Sequence, residues 1–455
     1  MRFAISRTIA LTLLGASSLS AQRPATLTKL TRLIDSAGTA LVKEGKAPGI
    51  AVAVSRGGRI VYAKGFGYAD IENKVAVTPA SVFQIGSVTK QFTAAAILQL
   101  VDQGKLALTD PLTKFYPDWP GAGSTVTIAH LLNHTAGIHN YTAMPVFQAW
   151  KSRYVPADSM IALFKSAPFD FEPGAKWSYS NSGYYVLGQI VEKVSGEPYD
   201  AYVEKRLAAP NALATVRYCH LTPLVPNRAH GYASRKEGGF RNADYQEMST
   251  PYAAGAICST ASDLVKWTMA LESGKVVRPA TYREMTTPRA LTDGTKQPYA
   301  FGLGVSDLAG HRIVSHNGGI DGFRSQLASY PNDSLIIAVL VNGDSDLPDR
   351  FEKMIARWAL GVPEPVVKDL AVPAELIARV TGSYAGEAGP VRIVAREGKL
   401  FAELEETRQL RYQGNGVFIM DGSGGAEIQF APETGRVETL TAKVSGAALV
   451  FKRVP

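Results

Sequence analysis

Two cysteines in 455 residues are too few for a disulfide-stapled scaffold or a four-cysteine zinc site. Cys219 and Cys258 read as two separate thiols, the second inside a run of small residues where a buried Cys packs as a small hydrophobe. No apolar run reaches the ~20 residues of a membrane-spanning helix, so stable insertion is not expected. Charge is not concentrated either. Forty-eight Lys and Arg against 40 Asp and Glu leave a net +8, but without the basic run of a nucleic-acid-binding arm. The chain also lacks a Gly-x-Ser-x-Gly elbow, a Walker loop and a Gly-x-Gly-x-x-Gly dinucleotide fingerprint. His130 and His134 stand four residues apart, yet no Glu follows His130 and no third ligand accompanies the pair. Neither a metal nor an organic cofactor is expected.

What is present is the composition of a large folded protein. At 46% hydrophobic and 19% charged, it can bury enough apolar surface to offset the entropy of ordering the chain. At this length one core gives way to two domains. Arg2 and Arg7, the apolar stretch 9–16 and the small residues 17–21 read as a secretory signal over 1–21, cleaved near Ser20 or Ala21. The mature protein is then expected to be soluble and exported, periplasmic or secreted.

Apolar spacing predicts helices over 30–43, 88–101, 183–194, 262–271 and 349–360. It predicts a hairpin over 49–64 turning at Arg56-Gly57-Gly58, and strands over 312–315, 323–330 and 335–341. Strands at both ends with helices between can close into one antiparallel sheet flanked by helices, an α+β arrangement for 22–361. Pro363, Pro365 and Pro373 make 362–373 a semi-rigid linker. Short alternating segments with glycine turns over 374–455 predict a small all-β barrel or sandwich.

Three short motifs bear chemistry. Ser87-Val88-Thr89-Lys90 is the chain's Ser-x-x-Lys, and at a helix start it puts hydroxyl and amine on one face. A serine hydroxyl is a poor nucleophile at neutral pH, and a lysine can take its proton only if burial or nearby cations lower the amine's pKa. Tyr179-Ser180-Asn181 precedes a predicted helix and can aim a phenol and an amide at a cleft. Tyr330-Pro331-Asn332 matches the same pattern but reads as a strand end and turn. Ser315-His316-Asn317-Gly318-Gly319 ends a predicted strand in glycines, which admit a substrate backbone and expose amides to an oxyanion.

In this order, and with the phrases Leu131-Leu132-Asn133-His134-Thr135-Ala136-Gly137-Ile138 and Glu172-Pro173-Gly174, the chain resembles the serine β-lactamase and penicillin-binding superfamily, specifically its class C-related CubicO branch. The resemblance covers about 30–360, and the tail is similar to the lipocalin-like barrels appended to some such hydrolases. It implies Ser87 as acylated nucleophile, Lys90 as its base and Tyr179 as proton shuttle. Asn181 would orient substrate and Lys90, and the amides of Ser87 and Gly319 would form an oxyanion hole. The resemblance leaves open whether Lys90 or Tyr179 is the acylation base.

Many β-lactamases carry Lys-Thr-Gly where this chain has His316-Asn317-Gly318. A histidine of ordinary pKa is mostly neutral at pH 7, so recognition of a substrate carboxylate there should weaken or depend on pH. The expected activity is therefore that of an esterase or a D-amino-acid or D,D-type peptidase on a small-molecule or peptide substrate, cell-wall-derived ones included. A class C-like β-lactamase and a non-catalytic sensor of cell-wall peptides are the alternatives.

Overall fold

The computed structural model describes residues 25–454 apart from 365, 387–388, 405–406, 422–424 and 445–446, so the expected signal segment 1–21 lies outside the described residues. The fold is α+β. A seven-stranded antiparallel sheet is built from β1 (Gly49–Arg56), β2 (Arg59–Asp70), β3 (Val75–Ala76), β4 (Gly304–Leu308), β5 (His311–Ile320), β6 (Phe323–Tyr330) and β7 (Leu335–Val341), in the order β3-β2-β1-β7-β6-β5-β4. The two ends of the domain meet at its centre, where Ile50 pairs with Val341 and Val54 with Ile337.

Both central strands are apolar on both faces because both faces are covered. Ile50, Val52 and Val54 of β1 and Ile337 and Val339 of β7 pack against α1 (Leu27–Lys43) and a late helix, α5 (Leu347–Leu360). Alternate residues Ala51, Ala53, Ala338 and Leu340 face the larger core, which holds α2 (Thr89–Asp102), α3 (Asn181–Ser195) and α4 (Ala261–Glu272). In that core Trp267 is fully buried, stacks on Phe92 with ring centroids 4.0 Å apart, and donates its indole N–H to Gln91 Oε1 at 3.3 Å. Thr260 caps α4 by accepting the N–H of Asp263. Cys219 and Cys258 are buried free thiols.

β5 does not end at Ser315. It runs on to Ile320, with Gly318 paired to Ser325 and Gly319 to Arg324. The glycines beyond the predicted strand end at 315 are held in the ladder because they are small. A Cβ on Gly318 would stand 2.0 Å from the carbonyl oxygen of Ile85 and 2.3 Å from Ser325 Oγ.

Beyond α5, eight strands between Gly382 and Val454 close into a barrel, the first pairing with the last at Ser383 and Val454. Among the described residues, its interior holds Tyr384, Ile393, Leu400, Leu410 and Phe418. The proline-containing segment is tied to this barrel. Lys368 and Gln413 exchange two hydrogen bonds of 2.9 Å, and Leu370 bridges Tyr412. A short helix, Ala374–Val380, starts directly after Pro373. It was not expected in an all-β tail, and its helix-forming sequence after a proline accounts for it.

Candidate active site

Phe83 and Gln84 form an edge of a small three-stranded sheet, pairing with Ser259 and Cys258. Gly86 then takes φ +51°, a left-handed turn that costs a glycine little. It also lets β5 come close, since a Cβ on Gly86 would lie 2.7 Å from the amide nitrogen of Gly319. Ser87 follows in a single 3-10 turn (Gly86–Val88) that runs straight into α2.

Lys90 lies in the first turn of α2 and is completely buried. Its Nζ is 3.1 Å from Ser87 Oγ, 2.8 Å from Asn181 Oδ1 and 2.8 Å from the carbonyl oxygen of Ala254. No carboxylate among the described residues pairs with it, and burial holds its pKa well below the ordinary lysine value. Nζ is within donating distance of all three oxygens. Once neutral, the amine keeps two N–H donors for the two carbonyl oxygens and has a lone pair that can accept the Ser87 hydroxyl proton.

Tyr179 covers this amine, with Lys90 Nζ 4.7 Å from its ring centroid. Burial raises the phenol's pKa, and a hydrogen bond with Ser87 offsets only part of that rise. The phenol is therefore protonated at neutral pH and suited to passing a proton rather than acting as an anionic base. Asn181 opens α3. Its backbone N–H donates to Asn140 Oδ1 at 3.1 Å and its Nδ2 to Thr142 Oγ1 at 3.3 Å, which leaves Oδ1 for Lys90.

The segment around His134 explains why this corner is rigid. His134 has φ +62°, and its Nδ1 accepts the N–H of Ser180 at 3.1 Å while its ring lies 4.3 Å from that of Tyr179. The carbonyl of His139 accepts the Ser182 hydroxyl, and that hydroxyl oxygen accepts the Tyr141 N–H. His130 is elsewhere, its Nδ1 accepting the N–H of Thr127 in a capping box at the start of its own helix. The two histidines thus have separate structural partners.

A cleft of about 410 Å³ opens above Ser87 and Asn181, with Asn317, Gly318 and Gly319 along one wall. His316 does not line it. The ring is 5% exposed, with Nε2 2.8 Å from the Tyr299 hydroxyl and Nδ1 2.5 Å from the carbonyl oxygen of Asn317. Burial, with a contribution from nearby Lys90, pushes its pKa down to about 3. His316 is therefore neutral throughout the physiological range and supplies no titrating charge to the cleft, unlike the pH-dependent anchor expected from an ordinary histidine.

Sequence reasoning missed the Ala254 carbonyl, Tyr299, Thr142 and Gln246, which come from loops and single 3-10 turns too short to show periodicity. It also missed Arg324, which lines the cleft. Arg324 had a signal, because the predicted strand 323–330 folds back on the glycine motif and puts this residue opposite Gly319.

A family model described as Beta-lactamase matches residues 34–361. The chain is 29% identical over 394 residues to a D-aminopeptidase of Brucella ovis, covering 86% of this chain and 72% of that protein. Among solved structures it is similar to an octameric penicillin-binding protein homologue from Pyrococcus abyssi, with TM-score 0.66, 25% identity, and coverage of 93% of this chain and 100% of that one. It is also similar to a D-amino acid amidase from Ochrobactrum anthropi SV3 complexed with L-phenylalanine amide, with TM-score 0.63, 26% identity, and coverage of 73% and 97%.

Proposed function

Because this chain belongs to the beta-lactamase family and is a serine hydrolase of that fold, we propose that it is an exported acyl-enzyme hydrolase of esters or amides, acting as an esterase or as a D-amino-acid or D,D-type peptidase. The observation that carries this reading is the buried Lys90 amine, 3.1 Å from Ser87 Oγ with its other contacts on two carbonyl oxygens. In this reading Lys90 is the acylation base. It takes the Ser87 proton as Oγ attacks the substrate carbonyl carbon, a proton transfer worth ~100- to 10,000-fold in rate where such bases are well placed.

The oxyanion of the tetrahedral intermediate is held by the backbone N–H groups of Ser87 and Gly319, each worth ~3–4 kcal/mol in the transition state. Tyr179 passes a proton to the leaving group as the carbon–leaving group bond breaks. Tyr179 regains its proton from protonated Lys90; water then attacks the Ser87 ester and gives a proton to the Lys90–Tyr179 pair, which returns it to Ser87 Oγ as the ester bond breaks. Asn181 orients Lys90 and the substrate, Gly318 keeps β5 against Ile85, and His316 braces Tyr299 from below the cleft.

The D-selective relatives favour acyl donors with a D-configured residue. No described helix is long and apolar enough to cross a membrane. Export rests on the segment 1–21, and the amino-terminal sequence of the secreted or periplasmic protein tests it.

The central test is labelling. The purified protein is treated with a fluorophosphonate probe and, separately, with penicillin, and the modified peptide is mapped. A Ser87 adduct that disappears in Ser87→Ala is the expected result, together with turnover of D-phenylalanine amide or a simple ester. Full activity in Ser87→Ala overturns the assignment, and rapid penicillin turnover without a lasting adduct moves the reading to a β-lactamase.

A further inference from the structure

The cleft above Ser87 contains one cation whose charge no described carboxylate balances. Arg324, the second residue of β6, lies opposite Gly319. A Cβ on Gly319 would stand 3.4 Å from its Cζ and from its Nη1, so the guanidinium lies along the strand edge beside the proposed oxyanion hole. Nη1 donates to the carbonyl oxygens of Ile320 at 3.1 Å and Phe323 at 3.0 Å. These two bonds fix the plane of the group. Nε and Nη2 have no hydrogen-bond partner among the described residues, and the side chain is half-buried in the wall of the cleft.

The neighbouring charges are already used. Asp321, in the same wall, accepts a 2.7 Å hydrogen bond from Lys151, which also lies 3.6 Å from Asp244. Lys90 is buried beneath Ser87 with a lowered pKa, and His316 is neutral behind the strand. An arginine is permanently charged and its free edge suits a carboxylate in a planar, two-point contact.

We propose that Arg324 is the specificity-determining cation of this cleft, and that the acyl donors turned over best carry a carboxylate close to the scissile carbonyl. The inference rests on the acyl-transfer reading above and adds the substrate's charge to it. It also assigns to Arg324 the role that the histidine at position 316 cannot fill. The carboxylate can belong to the leaving group, as at the end of a peptide, or to the acyl portion, and the two cases are separable by substrate design.

The full-length protein is assayed on two matched ester pairs. One pair is 3-carboxyphenyl acetate and its methyl ester, with the charge on the leaving group. The other is mono-p-nitrophenyl glutarate and its methyl ester, with the charge on the acyl group. In the wild type, kcat/KM for the charged member is expected to exceed that for the neutral member by at least about tenfold in one pair, the factor a charge-assisted contact supplies. Added salt should lower that ratio. Arg324→Gln should bring the ratio close to unity, and Arg324→Lys should restore part of it.

A wild-type ratio at or below unity in both pairs overturns the proposal, as does a ratio that survives Arg324→Gln. The wild-type ratio and its salt dependence decide the matter even if the variants fold poorly. Fluorophosphonate labelling of Ser87 separates the two levels of inference. Normal labelling without charge preference removes only the role of Arg324, whereas absent labelling and no ester turnover remove the acyl-transfer reading itself.

Discussion

Replacing Asn181 by Asp puts a carboxylate where an amide oxygen now sits, 2.8 Å from Lys90 Nζ. The change is nearly isosteric, and Thr142 Oγ1 can turn its hydroxyl to donate to the oxygen that replaces Nδ2. At that distance, and an effective dielectric of about 20, the attraction for a charged lysine is ~6 kcal/mol. Burying the new carboxylate consumes much of this, and a net rise of ~1–3 pKa units is expected for Lys90. A base must be deprotonated to act. The acid limb of the pH profile of kcat/KM should therefore move to higher pH by the same ~1–3 units, with a loss of ~10- to 1,000-fold at pH values below the new limb. Part of that loss should return on raising the pH. The assay is the pH profile of ester hydrolysis for wild type and Asn181→Asp, with the rate of fluorophosphonate labelling as a substrate-independent check. A limb that stays in place, or moves to lower pH, would refute Lys90 as the base.

Gly318→Ala should impair folding and acylation together, because the new methyl would lie 2.0 Å from the Ile85 carbonyl oxygen; a drop in stability of ~1–3 kcal/mol is expected, read by urea denaturation. Trp267→Ala should cost ~3–5 kcal/mol by the same measurement, since it empties a fully buried indole site stacked on Phe92. Glu352 is buried against the Tyr330 hydroxyl, 2.9 Å away, and burial raises its pKa from 4.5 to about 8. The folded state therefore holds a proton that the unfolded chain gives up, so its contribution is full below pH ~4.5 and falls as the pH rises through about 8, by up to ~5 kcal/mol. Glu352→Gln should flatten that part of the stability profile, and an unchanged slope between pH 5 and pH 9 would contradict the burial argument.

The elements that sequence reasoning located were those whose pattern is local. The strands Phe323–Tyr330 and Leu335–Val341 have the predicted bounds, and α2 and α3 differ from their predicted ranges by a residue or two at each end. Periodicity, an N-cap and a terminating glycine are all written within a dozen residues. Ser87, Lys90, Tyr179 and Asn181 were named from motif order, and the folded chain brings these four together. The glycine motif was misjudged at one point because a glycine looks the same in a loop and in a strand packed too tightly for a Cβ. Only the contact of Gly318 with Ile85 distinguishes the two, and that contact joins residues more than two hundred positions apart. The same limit applied to Ala254, whose contribution is a backbone carbonyl and leaves no trace in residue type.

The charge arrangement follows from these long-range contacts as well. In the proposed mechanism Lys90 is the base, and its burial among α2, Asn181 and the turn at Ala254 lowers its pKa for that role. The dryness that lowers Lys90 extends to His316, whose pKa falls to about 3 because the two groups share one buried region and repel each other when charged. His316 is neutral and therefore supplies no recognition cation. The charge proposed for recognition is Arg324, on the strand next to β5, held by the carbonyls of Ile320 and Phe323. On the proposed reading, the neutral His316 and Arg324 on the adjacent strand divide two tasks: Lys90 is kept uncharged inside, and the permanent charge stands in the cleft wall.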